Sequence, residues 1–248
     1  MAESMTISTV STTNGWEESA SAWIADMGDR GDYGREFVLD RLMMERIRAR
    51  KFAGALDVGC GEGRFCRMMR DCGIHTVGVD PTDALIQQAR HRDPQGDYRI
   101  GYAEALDLPD AAFDLVVSYL TLIDIPDIAA AISQMARVLR PGGTLLIANL
   151  NSFLTASVSG GWTKEPNGER RFIIDHYLTE RVEWQAWRGI RIQNWHRPLS
   201  QYMSLLLGQG LILRHFSEPT PHGGDAAKAE RYRRVPYYLL MEWEKPEV

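Results

Sequence analysis

The chain has 248 residues, of which 44% are hydrophobic and 25% are charged, and its formal net charge is −5 at pH 7. This length and apolar content fit one domain with an insertion better than two domains. Because acidic residues outnumber basic ones, the chain has no general electrostatic attraction to nucleic acid, which is therefore not an expected partner. Because no stretch reaches about 18 uninterrupted apolar residues and the N-terminus lacks a basic region followed by an apolar one, we expect a cytoplasmic protein without membrane association.

The N-terminal part of the chain predicts a tail and two helices. Residues 1–15 are rich in serine and threonine and lack periodicity, which is typical of a flexible tail. Two helical patterns then run from Trp16 to about Arg50, and the second places Phe37 and Ile47 on one apolar face. We expect a single domain over residues 16–248, made of N-terminal helices (16–50), a core of alternating strands and helices (51–150), an insertion (151–197), and a C-terminal helix and hairpin (198–248).

A glycine-rich turn follows the first core strand. Residues 56–65 are typical of a strand, a turn and the start of a helix, because Gly59, Gly61 and Gly63 lack the Cβ atoms that would block a tight turn and a close ligand. Asp80 ends the next apolar run, where a carboxylate can accept hydrogen bonds from both hydroxyls of a ribose. The pattern predicts a ligand that contains adenosine.

The spacing and charge of the turn narrow the kind of adenosine ligand. The glycines follow G-x-G-x-G and not the G-x-G-x-x-G of dinucleotide binders. The carboxylates of Asp57 and Glu62 would repel a pyrophosphate, whereas Asp57, at the carboxyl end of a strand, can meet a cationic or amino group. Residues 56–65 resemble motif I of the class I S-adenosylmethionine-dependent methyltransferases.

Further motifs of that family follow in order and at family spacing. Residues 102–106 with 108–109 resemble the segment that lies beside adenine. Residues 113–118 resemble the fourth strand, and residues 139–147 resemble the helix turn and the fifth strand. The resemblance covers about residues 35–150, and 195–245 more loosely, and it points to small-molecule enzymes of methyltransferase type 11. It implies an α/β, Rossmann-like sheet of seven mostly parallel strands with helices on both faces. The last strand should be antiparallel and inserted beside the fifth, and an acceptor-site insertion should follow the fifth strand.

The resemblance implies S-adenosylmethionine as cofactor, S-adenosylhomocysteine as product, and a set of cofactor contacts. Asp57 and the glycine turn would meet the methionine part, and Asp80 the ribose. Tyr33 and Arg35 resemble an aromatic and basic pair that closes over the cofactor carboxylate, although each also fits simple helix packing. The expected contacts are Tyr33, Arg35, Asp57, Gly59, Cys60, Gly61, Asp80, Pro81, Ala103, Glu104, Tyr119 and Leu120. Of these, Tyr119 and Leu120 should lie near the transferred methyl group.

The insertion at residues 151–197 fits no core element and is rich in tryptophan and arginine. It lies between the fifth strand and the last helix, where an excursion would lie above the carboxyl ends of the strands. We therefore expect it to form the acceptor pocket, with Trp162, Trp195 and His196 as substrate contacts. The alternative is a small satellite core under a long loop.

A histidine is the expected proton acceptor, because an unperturbed imidazole titrates near neutrality. His196 is the first candidate, since Pro198 suits the first turn of a helix and His196 would then face the crevice from a loop. The alternative is that His196 only braces the helix entry. His176 is a weaker candidate, and His222, beside Gly223, is expected on a surface loop.

Together these features favour methyl transfer by in-line displacement to a small aromatic or apolar molecule, with oxygen favoured over nitrogen or sulfur as the acceptor atom. Methylation of a macromolecule such as transfer RNA or a protein, and S-adenosylmethionine binding without catalysis, remain alternatives, while a nicotinamide enzyme is disfavoured by the glycine spacing. We expect a monomer or homodimer. Cys60, Cys66 and Cys72 lack histidines at metal-site spacing, so we expect packing residues and no metal site.

Overall fold

A computed structural model describes residues 14–247, apart from the side chains of residues 158–160, so nearly all of the predicted tail lies outside the described residues. The predicted alternation of strands and helices is present. The elements in chain order are α1 (Trp16–Met27), a π-helical turn (Arg35–Leu39), α2 (Asp40–Arg48), β1 (Gly54–Val58), α3 (Arg64–Arg70), β2 (His75–Asp80), α4 (Asp83–Arg92), β3 (Asp97–Ile100), a 3₁₀ turn (Ala103–Ala105), β4 (Phe113–Tyr119), α5 (Ile128–Val138), β5 (Leu139–Leu150), α6 (Ser152–Thr155), β6 (Ser157–Lys164), β7 (Arg170–Ile174), β8 (Arg181–Trp187), β9 (Ile190–His196), α7 (Leu199–Gly208), β10 (Ile212–Ser217), α8 (Ala226–Arg234) and β11 (Tyr238–Glu244).

The central sheet has seven strands in the order β10-β11-β5-β4-β1-β2-β3. β1 pairs in parallel with β2 and β4, and β4 pairs in parallel with β5. β11 lies between β5 and β10 and is antiparallel to both. The predicted Rossmann-like fold, with its last strand inserted beside the fifth, is confirmed. Because β1 and β4 are neighbours while their crossovers run to opposite sides, the carboxyl ends of β1, β2 and β4 border a crevice at the switch point.

Both faces of the sheet are buried, which explains the continuous apolar runs of its strands. Along β4, Val116 packs on one face, and Leu115 and Val117 pack on the other. Burial of one such aliphatic side chain contributes about 1.5–3 kcal/mol. The first face is covered by residues of α5 and α7 (Ile132, Met135, Tyr202, Leu206), and the second by residues of α2 and α3 (Met43, Ile47, Phe65, Met69).

The insertion after β5 is more ordered than its sequence predicts, since it forms two antiparallel hairpins, β6–β7 and β8–β9. β9 also supports α1. The hydroxyl of Ser19 donates to the carbonyl of Arg191 at 3.1 Å and accepts from the N–H of Arg191 at 2.9 Å. The N–H of Gln193 donates to the carbonyl of Asn14 at 2.9 Å. These bonds fix α1 across the carboxyl ends of the core strands.

Among residues 14–247, no helix is both long enough and apolar enough to cross a membrane.

Candidate functional site

A cavity of about 550 Å³ lies at the carboxyl ends of β1, β2 and β4, with α1 and β9 on its open side. Its volume is within the range of about 300–1,000 Å³ typical of small-molecule sites. The predicted cofactor contacts other than Tyr33 come together here, as does Trp195 from the predicted acceptor set. These lining residues are Arg35, Asp57, Gly59, Cys60, Gly61, Asp80, Pro81, Ala103, Glu104, Tyr119, Leu120 and Trp195.

The glycine turn is held against the end of β2. The N–H groups of Gly59 and Cys60 both donate to the carbonyl of Val79, at 2.7 and 3.1 Å. Gly59 has φ +76°, and a Cβ there would lie 2.1 Å from Cγ2 of Thr121. The absence of a side chain at Gly59 is therefore required by the loop after β4, and this close approach brings that loop to the cavity.

Asp80 combines a structural contact with free hydrogen-bonding capacity. Its Oδ2 accepts from the N–H of Gly61 at 2.9 Å, and its Oδ1 accepts from the N–H of Thr82 at 2.9 Å. Burial raises its pKa, and these two backbone bonds oppose the shift. A carboxylate has about four acceptor positions, so two remain for a ligand. Asp80 can accept hydrogen bonds from a pair of hydroxyls.

Asp57 carries an acceptor atom that lacks a donor. It is buried at the end of β1, where its Oδ2 accepts from Sγ of Cys66 at 3.5 Å. Its Oδ1 is buried and has no hydrogen-bond partner among residues 14–247. Burial, with a smaller contribution from the charge of Asp80, raises the pKa of Asp57 to about 7, although the hydrogen bond from Cys66 opposes the shift. An unsatisfied buried acceptor costs about 1–3 kcal/mol, so a cationic donor entering the cavity would bind favourably here.

Arg35 and Arg64 both line the cavity but differ in what they can bind. Arg64 is fully engaged by Asp40, at 2.9 and 2.6 Å. Within the described part of the chain, Arg35 donates only to Asp32, through its N–H at 2.9 Å and through Nη1 at 3.2 Å. Its guanidinium lies over two aromatic rings, 5.1 Å from that of Trp23 and 5.7 Å from that of Tyr119. Arg35 can therefore pair with a ligand carboxylate.

Tyr33 lies outside the cavity lining, so the structure does not bring it to the predicted cofactor contacts. Its hydroxyl donates to the carbonyl of Gly223 at 3.1 Å, and its ring packs against Phe37 and Tyr232. This is the helix-packing role that the sequence left open for Tyr33.

Three tryptophans line the part of the cavity that we call the aromatic end, and the sequence did not single out two of them, Trp16 and Trp23. These two residues of α1 make an edge-to-face pair with centroids 4.9 Å apart, and both line the cavity together with Trp195 of β9. Leu120 adopts φ +58°, a conformation that costs a non-glycine residue roughly 1–3 kcal/mol. That turn directs the loop after β4, including Asp124, along the cavity wall.

Asp124 places a carboxylate in the aromatic end. Its Oδ1 accepts from Nδ2 of Asn194 at 2.6 Å. Burial holds the pKa of Asp124 well above its usual range, and the charge of Asp80 adds to the shift, while hydrogen bonds from Trp16 and Asn194 and the charge of Arg35 oppose it. A carboxylate in such a setting can exchange a proton with a bound molecule.

The two histidine candidates do not line the cavity. His196 is buried, with Nδ1 2.8 Å from Oγ1 of Thr155 and Nε2 2.8 Å from the carbonyl of Tyr177. Both ring nitrogens are thus occupied, and burial lowers the pKa of the imidazole. His176 lies on an exposed turn at φ +49° with 75% of its side chain exposed. The structure therefore places His196 as a brace at the entry to α7 and His176 in solvent, and brings neither to the cavity.

Trp162, another expected substrate contact, is also not among the residues that line the cavity. Its Nε1 donates to the hydroxyl of Tyr237 at 2.8 Å, and the guanidinium of Arg234 lies 4.8 Å from its ring. The β6–β7 hairpin is therefore the satellite packing unit that the sequence allowed as an alternative, and only Gln193 and Trp195 of the insertion line the cavity.

The residue that connects the insertion to the site is Arg197, next to His196. Its guanidinium is fully buried and donates to the carbonyls of Leu122, Ile125 and Pro126 at 3.2, 2.9 and 2.8 Å. Its Nε donates to Glu180 at 2.6 Å. Arg197 fixes the loop that carries Asp124.

Cys60 and Cys66 are buried, as expected of packing residues, whereas Cys72 is exposed, contrary to the prediction. Within residues 14–247 no three histidine, cysteine, aspartate or glutamate side chains are grouped so that they could hold a metal ion.

The strand order, the glycine turn and the acidic residue at the end of β2 define the fold of the Rossmann-like methyltransferases. A crystal structure of an S-adenosylmethionine-dependent methyltransferase from Mesorhizobium loti shares this fold, with a TM-score of 0.72 and 24% identity, over 82% of this chain and 96% of that chain. The family model described as "Methyltransferase domain" matches residues 56–147.

Sequence relatives extend the match beyond this core. The malonyl-[acyl-carrier protein] O-methyltransferase of Enterobacter lignolyticus is 33% identical over 208 residues, which cover 83% of this chain and 80% of that protein. The enzyme of the same name from Pseudescherichia vulneris is 32% identical over 150 residues, so the chain spans only 59% of its length. The chain belongs to the class I S-adenosylmethionine-dependent methyltransferases.

Proposed function

We propose that this enzyme transfers a methyl group from S-adenosylmethionine to an oxygen atom of a small aromatic molecule. The observation that carries the proposal is a single cavity lined both by Asp57, whose buried Oδ1 has no hydrogen-bond partner among residues 14–247, and by three tryptophans, Trp16, Trp23 and Trp195. The acidic group suits the amino acid part of the cofactor, and the indoles suit an apolar ring.

Five residues that line the cavity, Arg35, Asp57, Asp80, Ala103 and Glu104, fit the functional groups of the cofactor. Oδ1 of Asp57 would accept from its α-ammonium group, and Arg35 would pair with its carboxylate. Asp80 would accept from the ribose hydroxyls, and Ala103 with Glu104 would flank the adenine. The bound cofactor would supply a methyl group that is already activated on a sulfonium.

The charges of the cavity favour a cationic ligand. Among the lining carboxylates, Glu62 is neutralised by Arg67 and Arg92, at 2.7 and 2.9 Å, whereas Asp57, Asp80 and Asp124 are paired with no lysine or arginine in the described residues. Burial raises the pKa of all three because their negative charge has no compensating cation, so a sulfonium with an ammonium would stabilise their ionised forms, whereas a pyrophosphate would not. This supports S-adenosylmethionine over a nicotinamide dinucleotide.

The protein's main task in such a displacement is to align the acceptor and exclude water. The indoles of Trp16, Trp23 and Trp195 provide apolar faces against which an aromatic acceptor can stack. The names of the relatives, both O-methyltransferases, support oxygen as the atom methylated. A cytoplasmic location and a monomeric or homodimeric state stay predictions.

Calorimetric titration tests the cofactor part of the proposal. S-adenosylhomocysteine should bind the wild type and bind Asp80→Ala about 10-fold more weakly, because two hydroxyl partners lose their acceptor. NAD should give no binding heat. Tight NAD binding, or equal affinity of both proteins for S-adenosylhomocysteine, would contradict the placement.

A further inference from the structure

We infer that Asp124 accepts the proton of the acceptor and that the acceptor is a neutral aromatic hydroxyl compound and not a carboxylate. This inference rests on the proposed function, since it names the chemistry of the molecule bound at the aromatic end.

Asp124 is held in place from both sides of its loop. Its own N–H donates to the carbonyl of Thr121 at 2.8 Å, and the carbonyl of Ile123 accepts from the N–H of Trp195 at 2.6 Å. Beyond Asp124, Arg197 binds the carbonyls of Ile125 and Pro126. A carboxylate on a braced loop needs little reorganisation during a reaction, which is what a residue that touches the reacting atoms requires.

The carboxylate of Asp124 has hydrogen-bonding capacity left for a ligand. Nδ2 of Asn194 donates to it at 2.6 Å, and the Trp16 side chain also stabilises its charged form. A carboxylate has about four acceptor positions, so at least two remain after these two neighbours. Because Asp124 lines the same cavity as Trp16 and Trp195, we place the hydroxyl of a ring stacked on these indoles at those positions.

The same carboxylate disfavours an anionic acceptor. Asp124 already lies in the field of Asp80, which raises its pKa, and Arg35 is the arginine whose charge opposes that shift. A second carboxylate beside Asp124 would add repulsion in a site of low polarity. The chain should therefore discriminate against acceptors such as a malonyl group, which carries a free carboxylate, even though the relatives described above are named for a malonyl substrate.

The proposed step balances with the groups already named. The acceptor O–H bond breaks, and its proton moves to the carboxylate of Asp124. The acceptor oxygen forms a bond to the methyl carbon, and the electron pair of the breaking carbon–sulfur bond stays on sulfur, which becomes a neutral thioether. Asp124 returns its proton to water after the product leaves.

The test measures methyl transfer from labelled S-adenosylmethionine to 1-naphthol, 2-naphthol and catechol, and to 1-naphthoate as the matched carboxylate. Asp124→Asn keeps the shape of the side chain but cannot accept a proton, and it should lower kcat by about 100-fold or more. Its affinity for S-adenosylhomocysteine should stay within about twofold of the wild type, which shows that the variant is folded. Asp110→Asn is the matched control, because 78% of the Asp110 side chain is exposed and it pairs only with Arg137 at the surface.

The pH profile gives a second readout that a purely structural role would not move. In the wild type, kcat should rise with pH as Asp124, facing Asp80, Arg35, Asn194 and Trp16, loses its proton, and this rise should vanish in Asp124→Asn. Wild-type turnover of Asp124→Asn, or methylation of 1-naphthoate in preference to the phenols, would overturn the inference while leaving the proposed function intact. Lack of a methylated product from every acceptor, with S-adenosylhomocysteine bound, would overturn the proposed function itself.

Discussion

Replacing Asp57 by asparagine should stabilise the ligand-free protein at neutral pH and weaken its hold on the cofactor. The reason is that Asp57 is buried at the end of β1 with Oδ1 unpaired and a pKa raised from 3.8 to about 7. Ionising such a carboxyl in the folded protein costs about 4 kcal/mol more than in the unfolded chain. Asparagine has the same shape and carries no charge to bury.

The sign of the pH dependence follows from which state holds the proton. Between about pH 4 and about pH 7 the folded protein keeps the Asp57 proton while the unfolded chain has lost it, so unfolding becomes easier as pH rises through this window and levels off above it. The stability gained by Asp57→Asn should therefore grow by about 3 kcal/mol between about pH 4.5 and about pH 8.

Urea unfolding of the wild type and Asp57→Asn at those two pH values measures this difference, since contributions from other titrating groups cancel between the proteins. Calorimetry at neutral pH should show S-adenosylhomocysteine binding Asp57→Asn about 10- to 100-fold more weakly, because a hydrogen bond to a charged group is lost. Asp110→Asn, at an exposed position, should change neither quantity. A stability difference independent of pH, or unchanged affinity, would refute the environment assigned to Asp57.

Other substitutions test the separate parts of the site. Gly59→Ala should destabilise the protein by roughly 1–3 kcal/mol in thermal unfolding, because a Cβ would lie 2.1 Å from a threonine methyl, and by more than Gly168→Ala, where φ is also positive but the space is open. His196→Ala should lower the free energy of unfolding by roughly 1–3 kcal/mol, because two hydrogen bonds are lost, and should leave the affinity for S-adenosylhomocysteine unchanged. A lower kcat of the folded variant would instead support a catalytic role for His196. Trp195→Ala should raise the acceptor KM roughly 10-fold, and Trp162→Ala should not; equal effects would place the acceptor elsewhere.

The sequence predicts the core of the fold because its signals are local. The apolar runs that form β4 and β5, the glycine turn at 59–63 and the position of Asp80 each depend on a few neighbouring residues, and the family motifs add their order along the chain. The cofactor contacts expected at these strand ends accordingly line one cavity.

The aromatic end was not predictable in the same way because it depends on contacts between distant segments. α1, which carries Trp16 and Trp23, is held by bonds between Ser19 and Arg191, far along the chain in β9. The placement of His196 away from the cavity has a similar origin, since the carbonyl of Tyr177 binds its ring. Nothing local in the sequence reports either packing arrangement.

Two features of the structure did leave signals in the sequence. Arg188 and Gly189 have φ +44° and +83°, as in the two-residue turns that join hairpin strands, and the residues on both sides alternate between apolar and polar. Asp225 accepts from the N–H of Lys228 at 2.7 Å and so caps α8. An aspartate directly before a run of good helix formers such as Ala226 and Ala227 is a sequence signal for the start of a helix.

The most direct test of the account is methyl transfer from labelled S-adenosylmethionine to a panel of phenols and aromatic alcohols, with the product identified by mass spectrometry. The account predicts a methyl ether of at least one small aromatic hydroxyl compound, formed by the wild type and lost in a variant that combines Asp57→Asn with Asp80→Ala. Label that appears only in protein or RNA when a cell extract is supplied, with no small-molecule product, would contradict it.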